Sequence, residues 1–117
     1  MLKIGKDHSY GSEIAKIFKD ILFNNSFPKT FNIDIVKGHE DGWEDPHEAA
    51  LAFYEKNEDA YLNAAKDTEL VGFLIQAKND NYYFTNYAEL PSFFKLDAHL
   101  TKPIGWKQKG TLHTHPE

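Results

Sequence analysis

The residues best suited to chemistry lie at 110–117, Gly-Thr-Leu-His-Thr-His-Pro-Glu, where two of the chain's six histidines stand one residue apart. If 111–115 is a strand, His113 and His115 project from one face, because side chains alternate along a strand. Two imidazoles on one face of a rigid strand are a ready pair of metal ligands. A zinc site needs at least one more ligand, and the sequence stops at Glu117, so that ligand is expected from upstream or from beyond this chain. A second candidate is Glu69, a carboxylate that opens the apolar run Leu70-Val71-Gly72-Phe73-Leu74-Ile75. Taken singly, both features have plainer readings: a solvated carboxylate at a strand end, and two surface histidines near a terminus.

The elements that must position these residues follow from periodicity and punctuation. Ser12 is an N-cap for a helix through about residue 24, with Ile14, Ile17, Phe18, Ile21 and Leu22 at helical spacing. Alternation over 31–36 predicts a short strand, followed by a turn-rich loop at 38–42. Asp45-Pro46 is a strong helix start, with the helix running from 46 to about 65 and Asn57-Glu58 a place where it divides. Residues 69–76 read as a central strand buried on both faces. A hairpin turn at 78–81 leads to a partner strand at 82–87. Residues 88–103 look irregular, with Pro91, Pro103 and the Phe93-Phe94 pair. Residues 104–106 and 109–113 supply the last strand. Two helices followed by a strand-rich half make an α+β layout.

The order Glu, Gly, apolar strand, hairpin, then His-Thr-His-Pro resembles the JAB/MPN (JAMM) metallopeptidase family. The matching residues are Glu69, Gly72, His113, His115 and Pro116. The text Thr-Leu-His-Thr-His-Pro-Glu is most similar to the JAB-related domain DUF4329 of bacterial Rhs-type polymorphic toxins. The resemblance spans roughly 45–117; the N-terminal helix and strand at 1–44 fall outside it, within what reads as a single domain over 1–117. It implies a JAB/MPN-like (cytidine-deaminase-like) mixed sheet flanked by two helices. It also implies zinc held by His113 and His115, with Glu69 as general acid/base. Metal-bound water would attack a peptide or isopeptide bond. The family's Ser and its third ligand, an Asp, follow the His-Pro, where this sequence has only Glu117. Three explanations compete: a chain cut before the Asp, a degenerate member without catalytic metal, or another carboxylate such as Glu117 or Asp97 completing the site. Two function classes therefore stand side by side, a zinc peptidase or isopeptidase that acts as a toxin or effector module, and an inactive JAB-like binding or structural module.

Other constellations weigh less. His-Thr-His also occurs as the first metal motif of PHP-type phosphoesterases, where it opens a ligand series rather than closing one. Histidine-triad nucleotide hydrolases need a third His where Glu117 stands. Asp7-His8-Ser9 reads as a polar turn rather than a hydrolytic triad. His39, Glu40, Asp41, Glu44, Asp45 and His47 form an acidic, imidazole-rich patch, read as a solvated loop and a charged helix N-terminus rather than a cation site. Trp43 and Trp106 read as core or partner-contact residues. Tyr82, Tyr83, Tyr87, Phe93 and Phe94 make the aromatic face of a sheet before they make a peptide groove.

Composition bounds the rest. At 117 residues, 41% hydrophobic and 15% aromatic, the chain is one small folded domain. Without cysteine there is no disulfide and no thiolate chemistry. The net charge of −5 argues against nucleic acid and anionic membranes as partners. All basic residues are lysine, which removes the bidentate guanidinium clamp. No apolar run approaches a membrane span and the N-terminus lacks a signal-peptide core. The expected setting is cytoplasmic, or export without a cleaved signal as part of a toxin system. The expected partner is a peptide or protein substrate, and a homodimer is compatible with the sequence.

Overall fold

The computed structural model describes residues 26–91 and 94–114. The helix expected over 12–24, the Asp7-His8-Ser9 turn, Phe93 and His115 lie outside the described residues. The remainder is mixed α+β. In chain order it comprises β1 (Ser26–Asn32), α1 (Pro46–Lys56), α2 (Glu58–Leu62), β2 (Thr68–Gln76), β3 (Tyr82–Phe84), β4 (Ala88–Pro91), β5 (Lys95–Thr101) and β6 (Lys107–His113).

β2 is the centre. It pairs antiparallel with β6 on one edge and with β3 and β4 on the other. β3 and β4 are one strand with an interruption. Leu74 faces Phe84 and Val71 faces Ala88, so one extra residue is inserted on the partner side. The extra residue is a bulge at 85–87. There the Thr85 hydroxyl replaces a backbone rung by accepting from Phe73 N at 2.9 Å. This is why the partner strand expected over 82–87 stops early and resumes.

Alternate residues of β2 feed two cores. Toward the helices, Gly72 and Leu74 meet Trp43, Ala49, Phe53, Phe84 and Leu112. Toward the other side, Phe73 and Ile75 meet Phe31 and Ala88, with Leu96, Leu100 and Trp106 packed against them. Phe31 meets Phe73 edge-on at 4.9 Å. The sheet of β2, β3, β4 and β6 is thus a middle layer, with the helices on one face and a parallel β1–β5 ribbon on the other. A strand buried on both faces reads as an unbroken apolar run, as residues 70–75 do.

α1 begins where Asp45-Pro46 requires. The Asp45 carboxylate accepts from His47 N at 2.8 Å, and Pro46 needs no donor at the first helical position. Glu48 in the first turn and Lys56 in the last suit the helix dipole. The helix divides at Asn57, whose N–H and side-chain amide both donate to the Phe53 carbonyl. Lys56 also pairs with Asp34 at 2.6 Å.

Two regions differ from the sequence expectation. The first strand runs over Ser26–Asn32, not 31–36; beyond it only Ile33 bridges to Thr85. Residues 88–103 are not irregular but carry β4 and β5. The alternation Leu96, Ala98, Leu100 was visible in the sequence; flanking prolines obscured it. Residues 104–106 form the turn that precedes β6.

Candidate functional site

Glu69 and His113 sit on adjacent strands at the same end of the sheet. His113, the last residue of β6, pairs directly with Val71. Glu69 is two residues along β2 from Val71, so by alternation its side chain shares the face onto which Val71 and His113 project. Diagonal neighbours of this kind stand on the order of 7–8 Å apart. Glu69 is half-buried and His113 exposed. Glu69 faces Leu90 of β4, on the edge of β2 opposite His113.

Thr114 locks this end of the sheet. Its N–H donates to the Leu70 carbonyl at 3.0 Å, and its hydroxyl accepts from Leu70 N at 2.9 Å. Thr114 is buried, so both bonds are shielded from water. Tyr54 of α1 adds a third tie, donating its hydroxyl to the His113 carbonyl at 2.8 Å. Sequence reading missed all three ties. Partners separated by 59 and 44 residues leave no local signal.

On the opposite face of the sheet a cleft of about 520 Å³ opens between the helices and the β2–β6 end. Phe53, Tyr54, Tyr61 and Leu62 line it from the helices, and Leu70 and Thr114 from the sheet. Glu55 and Glu58 stand at its acidic wall. Leu62 is 66% exposed. The cleft borders His113 but is not lined by Glu69.

The remaining candidates separate. Asp97 lies in β5, outside the sheet that carries Glu69, and its carboxylate stands 3.6 Å from His99. Among the described residues no three His, Asp or Glu side chains converge as metal ligands. The acidic patch at 39–47 serves the loop itself. His39 stacks on Trp43 at 4.6 Å, and Trp43 stacks on Phe84. Trp43 is therefore a core residue. The Glu40 carboxyl accepts from Gly38 N, which holds it below the usual carboxylate range, with its own N–H and nearby His39 acting the same way. The Tyr83 hydroxyl donates to the Glu40 carbonyl at 2.9 Å. Burial pushes the Tyr83 phenol up, and Asp41 adds to the shift. Tyr83 packs on Trp106 at 4.9 Å, so this part of the tyrosine set belongs to the sheet rather than to a groove.

Comparison of the chain with protein-family models, with curated proteins and with solved structures found no match. Among the described residues no helix is long and apolar enough to cross a membrane.

Proposed function

We propose that the chain is a JAB/MPN-like module whose chemistry centres on Glu69, His113 and His115, hydrolysing a peptide or isopeptide bond with zinc, in the manner of a bacterial toxin or effector domain. One observation carries the reading. Glu69 and His113 share a face and a sheet end, at diagonal spacing across neighbouring strands. That spacing suits a carboxylate that acts on a metal's water rather than on the metal. Zinc bound there would supply a Lewis acid and a water of lowered pKa. His113 and His115 would hold the ion, and a ligand outside this chain or at Glu117 would complete it. Glu69 would accept the water's proton and return it to the leaving amine.

The test is metal content with separated roles. Wild-type protein equilibrated with zinc and desalted should retain about one ion per chain, and His113→Ala with His115→Ala should abolish retention. Glu69→Gln should retain zinc and lose hydrolysis. Zinc retained at full stoichiometry without both histidines overturns the assignment.

A second reading rests on the cleft. Its apolar floor faces away from Glu69, and Leu62 and Tyr54 stand exposed beside it. A module that binds through that cleft without catalysis would show no change in melting temperature on chelation. A metal-dependent site would show a fall.

A further inference from the structure

Among the described residues the β1–β5 ribbon pairs with no further strand along either edge. Asn86 covers the C-terminal end of β1's outer side. The Asn32 N–H donates to Asn86 Oδ1 at 2.8 Å, the Asn32 carbonyl accepts from Asn86 N at 3.2 Å, and Asn86 Nδ2 donates to the Thr30 carbonyl. Among the described residues no strand pairs with the outer side of β5. A two-stranded parallel ribbon ending in an open edge invites another strand.

The register shows which groups that edge offers. Asn32 directs both backbone groups away from β5, so Phe31, one residue earlier, directs its own toward it. Phe31 is in register with Leu100. In a parallel ladder the flanking residues, His99 and Thr101, then bond Phe31. The N–H and C=O groups of Leu96, Ala98 and Leu100 are left pointing outward.

The sequence of β5, Lys-Leu-Asp-Ala-His-Leu-Thr, is complementary to itself when reversed about Ala98. Antiparallel pairing on that centre sets Leu96 opposite Leu100, Ala98 opposite Ala98, and Asp97 opposite His99. The three outward-facing residues become the hydrogen-bonded pairs. Asp97 and His99 fall in the non-hydrogen-bonded pairs, where Cα atoms approach to about 4.5 Å and side chains meet most closely. Both side chains are exposed, at 53% and 66%, and they already stand 3.6 Å apart within one chain. The leucines lie on the core side, where Leu96 and Leu100 pack against the Phe31 and Phe73 cluster. A second copy would extend that apolar face.

We propose that β5 is a dimerisation edge: two copies of this chain pair antiparallel about a two-fold axis through Ala98, with Asp97 of each against His99 of the other. The pairing joins two ribbons into one four-stranded sheet in the order β1-β5-β5-β1. The interface is isologous, so a single edge suffices and the assembly closes at two copies.

Sedimentation velocity over a concentration series tests this on the full chain. Wild-type protein should shift from monomer to dimer as concentration rises. His99→Asp sets two carboxylate pairs opposite each other and should weaken association by about tenfold or more. Asp97→His sets imidazoles opposite imidazoles and should also weaken it. The double variant Asp97→His with His99→Asp restores both pairs in reversed order and should recover wild-type association. Mixing the two single variants should give a heterodimer that neither forms alone. Circular dichroism of each variant checks that the fold is kept. A wild-type chain that stays monomeric at millimolar concentration overturns the proposal. So does a dimer indifferent to His99→Asp, or a double variant that fails to recover.

Discussion

Gly72 offers the sharpest test of how the helix layer meets the sheet. It sits mid-strand on β2, directly beneath Phe53 of α1. A Cβ built there would lie 2.6 Å from Phe53 Cε1, 2.9 Å from Cζ and 3.3 Å from the Asn86 carbonyl. Phe53 has little freedom to yield. It is fully buried, and its ring packs edge-on against Phe84 at 5.6 Å and against Tyr54 at 5.6 Å. Asn86 is backbone in the bulge and cannot swing aside. Gly72→Ala should therefore overpack the site at a cost of about 1–3 kcal/mol. Reduced freedom of the unfolded chain returns about 0.4–1 kcal/mol. The net loss is about 1–2 kcal/mol, which moves a urea midpoint down by on the order of 1 M for a small domain. Phe53→Leu removes the ring edge that the new methyl meets. In the Phe53→Leu background the Gly72→Ala cost should shrink by at least half, a favourable coupling between the two changes. A Gly72→Ala midpoint within experimental error of wild type would refute the close approach. Strictly additive costs in the double variant would refute the assignment of the clash to Phe53.

Three further outcomes follow from the same geometry. Thr114→Val keeps the shape but strips the acceptor from Leu70 N, and should lower stability by about 1–3 kcal/mol in a denaturant titration; no loss would mean that this sheet end is not locked by the hydroxyl. Gly42 adopts φ +80, and a Cβ there would lie 2.7 Å from the Tyr82 carbonyl. Gly42→Ala should therefore lower the melting temperature measurably, whereas Gly38→Ala meets no atom within 4 Å and carries only the backbone strain of its φ of +88. Tyr83 holds its proton more tightly in the fold than in the unfolded chain. Its contribution is complete below the ordinary phenol value of about 10 and is lost as pH rises through the raised folded value. The stability difference between wild type and Tyr83→Phe, followed by thermal melts from pH 8 to 11, should narrow only above about pH 10; a difference that narrows below pH 9 would contradict the shift.

Much of this fold was legible because its signals are local. Asp45-Pro46 marked the start of α1, Asn57 its division, and the apolar run after Glu69 the doubly buried strand. The hairpin turn at 78–81 was likewise readable: the Asp80 N–H donates to the Ala77 carbonyl, and Asp80 takes the positive φ that Asp tolerates. What escaped was long-range. The β1–β5 pairing joins segments about seventy residues apart, and parallel partners carry no turn between them. Pro28 stands within β1, where its missing N–H is tolerated at the margin of a two-stranded ribbon. The bulge at 85–87 was invisible because it depends on a Thr hydroxyl standing in for a rung. At the site, residue types and order singled out Glu69 and His113, and the register shows why they share a face. The cleft across the sheet from them was not readable, since its walls come from four separate elements, α1, α2, β2 and β6.

In the proposed site, two imidazoles of the His113-Thr114-His115 segment bind zinc beside Glu69. X-ray absorption spectroscopy of zinc-loaded protein tests it most directly, because the ligand type is read from the metal itself. Two imidazole nitrogens at about 2.0–2.1 Å are expected, with oxygen ligands completing the shell. This signature should vanish in His113→Ala with His115→Ala and persist in Glu69→Gln. A shell of oxygen alone, or an imidazole signal that survives the double alanine change, would contradict it.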